Sequence, residues 1–155
     1  MRIGVISDTH GLFDESIISI FAGVDAILHA GDIGKLEVID RLEAIAQVFA
    51  VCGNNDTSMP FPNERVEQLA GRRVMIRHIF GELHQLKNAQ RKTLELLRPD
   101  IVIFGHSHRP YQQKLNNTIL FNPGSAGPKR FSLPRTVGML SLKPSSADVQ
   151  IISLD

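Results

Sequence analysis

Along this chain short apolar runs alternate with amphipathic stretches through the first two-thirds, and the runs stop at small polar clusters. Ile3-Gly4-Val5-Ile6 reads as a buried strand ending at Ser7-Asp8-Thr9-His10-Gly11. A helix follows, with Ile17, Ile18, Ile20 and Phe21 apolar and Asp14 and Glu15 at its start, where the helix dipole favours acids. Ala26-Ile27-Leu28-His29 is a second strand, closed by Ala30-Gly31-Asp32. Leu36, Ile39, Leu42 and Ile45 recur at spacing three and predict a second helix with one apolar face. Residues 47–51 form a third strand that ends at Gly53-Asn54-Asn55-Asp56.

Pro60 and Pro62 mark a loop before a strand pair at about 64–69 and 73–78, turned at Gly71-Arg72. Residues 86–98 predict a third helix, closed by Pro99, and Ile101-Val102-Ile103-Phe104 is another buried strand that runs into Gly105-His106-Ser107-His108. The chain then changes character. A hairpin is expected at 111–121, turned at Asn116-Asn117, and a second at 136–143 with 148–154. No repeat, low-complexity tract or linker divides the 155 residues, so one domain spanning 1–155 is expected. Strand–helix alternation followed by hairpins predicts an α/β fold of two packed mixed β-sheets flanked by helices.

Composition changes this picture little. The apolar fraction is 43%, the charged fraction 21% and the formal net charge +1, so no strong field draws the protein to nucleic acid or membrane. The single cysteine, Cys52, excludes an internal disulfide and reads as a small buried residue at a strand end. The first residues run straight into a strand pattern without the features of a signal peptide. No apolar run reaches the roughly 18 residues of a membrane span. A soluble, cytoplasmic protein is the expectation.

The polar clusters carry the candidate chemistry. Each alone would pass for a turn, but strand ends in open α/β sheets gather on one side, where ligands bind. Aspartate oxygens, histidine nitrogens and an amide oxygen suit divalent manganese, iron, zinc or nickel. A donor set without a ligating cysteine points to a catalytic centre rather than a structural one. Of six histidines, His10, His106 and His108 fall in the clusters, His29 lies three residues before Asp32, and His78 sits at a strand end. His84 reads as a surface or helix-start residue.

The order Asp8-x-His10, Gly31-Asp32, Gly53-Asn54-x-Asp56, His78, Gly105-His106-x-His108 resembles the calcineurin-like metallophosphoesterase family. Length and spacing resemble its small YfcE-like phosphodiesterase subgroup, and Asn122-Pro123-Gly124-Ser125 is similar to a segment found there. The likeness runs from residue 6 to about 125. It implies a four-layer α-β-β-α sandwich and two divalent metal ions, manganese foremost, with iron, nickel and zinc also suited. By the same resemblance one ion is held by Asp8, His10, Asp32 and His108, and the other by Asp32, Asn54, His78 and His106, with Asp32 bridging. The implied reaction is hydrolysis of a small phosphate ester by a metal-bridging hydroxide. His29 is expected to hydrogen-bond toward the site, and Asp56 to orient its turn or a neighbouring ligand. The alternative is a non-catalytic interaction scaffold on the same fold, as in the retromer complex; retention of all seven ligands favours the enzyme.

Two departures from the family pattern shape the expectation. Many members carry histidine where this chain has Asn55, placed to protonate the leaving oxygen, and an asparagine amide is no general acid near neutral pH. Diesters and esters with acidic leaving groups are therefore expected to turn over better than alkyl monoesters. The family pattern also has glycine directly after the histidine at position 78, whereas here Ile79-Phe80 precede Gly81. Arg130 and Arg135 read as exposed arginines, and the C-terminal hairpins offer an edge or face for a homo-oligomer.

Overall fold

The first residues of the chain, β1 (Arg2–Ile6), alternate their side chains between two different cores, and that alternation organises the molecule. The computed structural model describes residues 1–155. In it β1, β2 (Ala26–His29) and β3 (Val48–Ala50) run parallel, linked by the helices α1 (Ser16–Ile20) and α2 (Leu36–Glu43). A second sheet contains β4 (Glu64–Leu69), β5 (Arg72–Arg77), β6 (Ile101–Ile103), β7 (Pro110–Leu115) and β8 (Thr118–Pro123), with α3 (Asn88–Leu97) between β5 and β6. The chain closes with the hairpin β9 (Thr136–Lys143) and β10 (Ser146–Ser153), which returns to the first sheet beside β1. The sheet orders are β10-β9-β1-β2-β3 and β4-β5-β6-β8-β7.

Both sheets are mixed, and the period-two alternation of each strand builds the layers. Ile3, Val5 and Leu28 of the first sheet meet Val74, Ile76, Ile101, Ile103 and Phe121 of the second in a central core. Ile6 and Ile27 point the other way, onto Ile17 and Phe21 of the α1 region and Val38, Ile39 and Leu42 of α2. Met75, Val102 and Leu120 form a third core, against which Leu94 and Leu97 of α3 pack. The result is helix, sheet, sheet, helix, as the resemblance implied.

Some local expectations change. The β4–β5 hairpin turns at Ala70-Gly71 rather than Gly71-Arg72, because a two-residue turn with left-handed backbone at both positions (φ 50° and 76°) matches strand twist. In α2 the apolar face includes Val38, while Leu36 is exposed and Ile45 lies beyond the helix. α3 begins at Asn88, after a 3₁₀ turn at Leu83–Gln85, and Arg98 closes it in a left-handed conformation just before Pro99. Cys52 is buried two residues after the end of β3. No helix is long and apolar enough to cross a membrane.

Candidate metal centre

The loops leaving β1, β2, β3, β5 and β6 converge at one end of the sandwich. They deliver Asp8 and His10, Asp32, Asn54 to Asp56, His78, and His106 with His108, respectively. Backbone bonds tie these loops together: Asp8 N–H donates to Gly31 O at 2.9 Å, His10 N–H to Asp32 O at 2.9 Å, and Gly105 N–H to His78 O at 3.0 Å. Nine non-glycine residues have positive φ, and five of them are Asp8, His10, Asp32, His106 and His108. Left-handed backbone is uncommon outside glycine, aspartate and histidine are among the types that tolerate it best, and five such residues gather in this one loop cluster. Two glycines permit the close packing this requires. A Cβ on Gly53 would overlap the Asp32 carboxylate, and one on Gly105 would overlap Ser7 Oγ and Asp8 Oδ2.

At the centre lie two carboxylates flanked by two histidine pairs. Asp8 Oδ1 is 3.3 Å from His108 Nε2 and 3.9 Å from His78 Nε2. Asp32 Oδ2 is 3.5 Å from His78 Nε2 and 3.9 Å from His10 Nε2. His10 and His108 face each other, with their Nε2 atoms 3.3 Å apart. On the opposite flank the His106 ring stands edge-on to His78 with centroids 5.4 Å apart, and its Nδ1 is 3.0 Å from Asn54 Oδ1. All seven residues singled out as ligands from the sequence therefore meet. The tightest groups are Asp8-His10-His108 and Asp8-Asp32-His78, each with ligand atoms within 4.8 Å of one another. Asp8 is common to both groups, where the resemblance gave the shared position to Asp32. Yet Asp32 Oδ2 also faces both flanks, so both carboxylates span the centre.

The donor set fits a divalent ion because two of the atoms aimed into it, Asp8 Oδ1 and His78 Nε2, are otherwise unsatisfied. His78 Nδ1 lies 2.7 Å from the Ala30 carbonyl, which can only accept, so Nδ1 carries the proton and Nε2 presents its lone pair. That Nε2 is buried without a hydrogen-bond partner, as are Asp8 Oδ1 and His108 Nδ1. Orphaned buried atoms of this kind are rare and costly, and a shared cation resolves the lone pair and the carboxylate oxygen together. Asp8 Oδ2, by contrast, accepts from Ser7 Oγ at 2.7 Å and from His106 N–H at 3.1 Å, which leaves Oδ1 aimed into the centre.

Around the candidate ligands a layer of polar side chains fixes the loops. Asp56 does not reach the centre: its carboxylate accepts the backbone N–H groups of Ile33, Gly34 and Gly53 at 2.9, 3.1 and 2.8 Å, clamping the β2 and β3 loops together. Those hydrogen bonds outweigh burial and hold its pKa below the usual carboxylate value. Asn55 donates both its backbone N–H (2.9 Å) and its side-chain amide (2.7 Å) to Asp32. His29 is fully buried, bonded to Thr9 Oγ1 at 3.0 Å and to Gly31 N–H at 3.1 Å, and burial pushes its pKa down to about 4, so the ring is neutral. Three supporting residues had no role in the sequence reading: Ser7 on Asp8, Asn122 on Gly105 O (3.0 Å) and Ser107 Oγ (3.1 Å), and Ser125 on Asp8 O (3.0 Å). The only sequence signal for them was position: Ser7 adjoins a ligand, and the other two lie in the Asn122–Ser125 segment.

Charge in the centre follows from this packing. Burial raises the Asp8 pKa, but His108, His78 and Ser7 together bring it below the ordinary aspartate value, so Asp8 is anionic. Burial is the largest effect on His10 and lowers its pKa; Asp32 opposes this, and the positive charge of Arg130 reinforces it. A neutral His10 keeps a lone pair for a cation. Arg135 is no free arginine: it bonds Asp14 Oδ2 at 2.9 Å and the carbonyls of Gly127 (2.8 Å) and Ala126 (3.0 Å). His84 is exposed and pairs only with Glu82. Asp8, Asp32, His78 and His108 are buried, whereas Asn54, Asn55 and His106 are exposed, so the centre opens to solvent on the Asn54–His106 side.

Residues 1–145 match the sequence profile of the calcineurin-like phosphoesterase superfamily domain. The chain is 35% identical to a probable metallophosphoesterase of Methanothermobacter thermautotrophicus, over 98% of this chain and 92% of that protein. It is 27% identical to the phosphodiesterase YfcE of Escherichia coli, over 90% of this chain and 87% of that one. Among solved structures, Vps29 of Chaetomium thermophilum superposes with a TM-score of 0.85 at 18% identity, covering 100% of this chain and 86% of its own, a likeness of fold.

Proposed function

This chain belongs to the calcineurin-like phosphoesterase superfamily, and from that membership we propose that it is a phosphodiesterase working with two divalent metal ions, manganese foremost. The observation that carries the reading is the convergence of unpartnered Asp8 Oδ1 and His78 Nε2, 3.9 Å apart, in a cluster that also brings in Asp32, His10 and His108. His10 and His108 would hold one ion and His78, His106 and Asn54 the other, with Asp8 and Asp32 supplying anionic charge to both. When bound, the ions would supply Lewis acidity toward the phosphoryl oxygens and a shared hydroxide nucleophile near neutral pH.

The residues of the chain do the remaining work. Asp8 and Asp32 offset the mutual repulsion of two dications, while the neutral histidines and Asn54 leave the loaded centre net positive and receptive to a phosphate anion. The loop clamp made by Asp56 keeps Asp32 and Asn54 in register. Asn55 holds Asp32 and carries no titratable proton for a leaving oxygen, which favours esters whose leaving group departs as a stable anion. An interaction-only protein would be free to lose ligands, and this chain retains the full set.

The test is metal analysis of the purified protein combined with hydrolysis of bis-p-nitrophenyl phosphate before and after chelation. Activity lost on chelation and restored by manganese is the expected result. Bound metal without hydrolysis of any phosphate ester would favour the interaction scaffold instead.

A further inference from the structure

The segment between β8 and β9 carries three cations, Lys129, Arg130 and Arg135, and two of them are neutralised. Lys129 Nζ lies 3.3 Å from Asp155 Oδ2, and Arg135 Nη1 lies 2.9 Å from Asp14 Oδ2. Arg130, between them, is exposed and forms an ion pair with neither acid. Phe131 beside it is 94% exposed, so the tip of the segment stands clear of the core.

The base of this segment is fixed to the loop that delivers Asp8 and His10. Ala126 N–H donates to Ser7 O and Ser125 Oγ to Asp8 O, both at 3.0 Å. A Cβ on Gly127 would overlap the Asp8 and Thr9 carbonyls, so only glycine lets the two backbones lie this close. Thr136 N–H closes the segment on Ser125 O at 2.8 Å, and Leu133 N–H donates to Arg130 O at 3.2 Å, which folds the tip into a turn. Arg130 follows Gly127 by three residues and is therefore tethered close to His10. Its positive charge is felt there, where it helps to lower the histidine's pKa.

We propose that Arg130 is a substrate-contacting residue, its guanidinium binding an anionic phosphoryl oxygen of the ester from the His10 flank of the metal centre. That role rests on the phosphodiesterase reading for where the phosphoryl group sits and on the loop geometry for the arginine. A cation without an acid partner, set beside a centre that is net positive when loaded, is repelled by it. An anionic phosphoryl group between the two gives each an opposite charge. The guanidinium fork matches two phosphate oxygens at once, which a lysine ammonium cannot do. Lys35 is the competing cation: its stem lies along Gly11, and it lines a cavity of about 290 Å³ with Asn55, Asp56, Thr57, Ser58 and Met59.

Calorimetric titration with inorganic phosphate of the whole protein, loaded with manganese and freed of excess metal, tests this without depending on turnover. Arg130→Gln should weaken phosphate binding about tenfold, the scale of one charge-assisted hydrogen-bonding group. Arg130→Lys should recover part of the loss, since it keeps the charge but not the fork. Lys129→Gln and Lys35→Gln remove the same charge and should each cost less than Arg130→Gln. No phosphate binding by the native protein, or a loss in Arg130→Gln no larger than in those two variants, would overturn the proposal. Hydrolysis of bis-p-nitrophenyl phosphate, run in parallel, separates the two readings. Hydrolysis with the same KM in native protein and Arg130→Gln sinks the arginine alone, and Arg130-dependent phosphate binding without hydrolysis sinks the phosphodiesterase reading alone.

Discussion

His78 Nε2 faces Asp32 Oδ2 across 3.5 Å while the Ala30 carbonyl holds the other ring nitrogen at 2.7 Å, so a residue of the second sheet is aimed by the end of a strand in the first. The two sheets are thereby locked together at the metal centre. Truncating His78 removes a proposed ligand and this cross-sheet contact at once. His78→Ala should lower diester turnover by about 10²–10³-fold, the scale of losing one preorganised electrostatic group. Asp32→Asn should abolish turnover and leave the protein with less bound metal after dialysis. Full activity with full metal content in Asp32→Asn would overturn the site as drawn.

Metal should stabilise the fold as well as activate it. Asp8 Oδ1 and His78 Nε2 are buried without partners, and a cation bound to the folded state alone relieves both. At a free metal concentration a hundred times the dissociation constant, the gain is about 2.7 kcal/mol. For a chain of this length that corresponds to a melting temperature raised by about 5–10 °C. Differential scanning calorimetry with manganese and with a chelator checks this, and Asp32→Asn should show little of the shift.

Asn55→His should change selectivity more than overall rate. The native amide donates to Asp32 Oδ2 and offers no titratable proton to a leaving oxygen. An imidazole at the same exposed position would supply one near neutral pH. The ratio of alkyl to aryl ester turnover should rise about tenfold or more, against the 10²–10⁴-fold range of general-acid effects. An unchanged ratio across a series of leaving groups would show that Asn55 does not set the preference.

The strand ends were legible in the sequence because both signals are local: an apolar run and the polar cluster that terminates it occupy adjacent residues. That reading was enough to bring Asp8, Asp32, His78 and His108 to one place. The supporting contacts were hidden because they join distant segments. Asn122 holds the Gly105 carbonyl from 17 residues away, Ser125 holds the Asp8 carbonyl from 117 away, and Asp56 reaches back 23 residues to Ile33. Leu36 failed for a related reason. Spacing identifies an apolar stripe, but the direction in which a helix presents it depends on how the helix lies on the sheet, and in α2 that orientation buries Val38 instead.

Acid should destabilise the metal-free protein well above the range where carboxylates titrate, and His29 is the main cause. It is fully buried, bonded to Thr9 Oγ1 and Gly31 N–H, and its folded pKa is pushed down to about 4 by burial, against an ordinary histidine value near 6.5. Because the folded pKa is the lower one, the unfolded chain takes up the proton first as pH falls. The stability held by neutral His29 is therefore complete above about pH 6.5, declines between 6.5 and 4, and is gone below that. A separation of this size corresponds to about 3 kcal/mol. The depressed carboxylates Asp8 and Asp56 lose their contributions in a separate window, below the ordinary aspartate pKa. Urea unfolding of chelated protein at pH 7, 5.5 and 4.5 should show the midpoint falling through this range, and His29→Gln, which keeps hydrogen-bonding capacity without the titration, should flatten most of the slope. If the variant's midpoint falls as steeply as that of the native chain, His29 is not the group that takes up the proton.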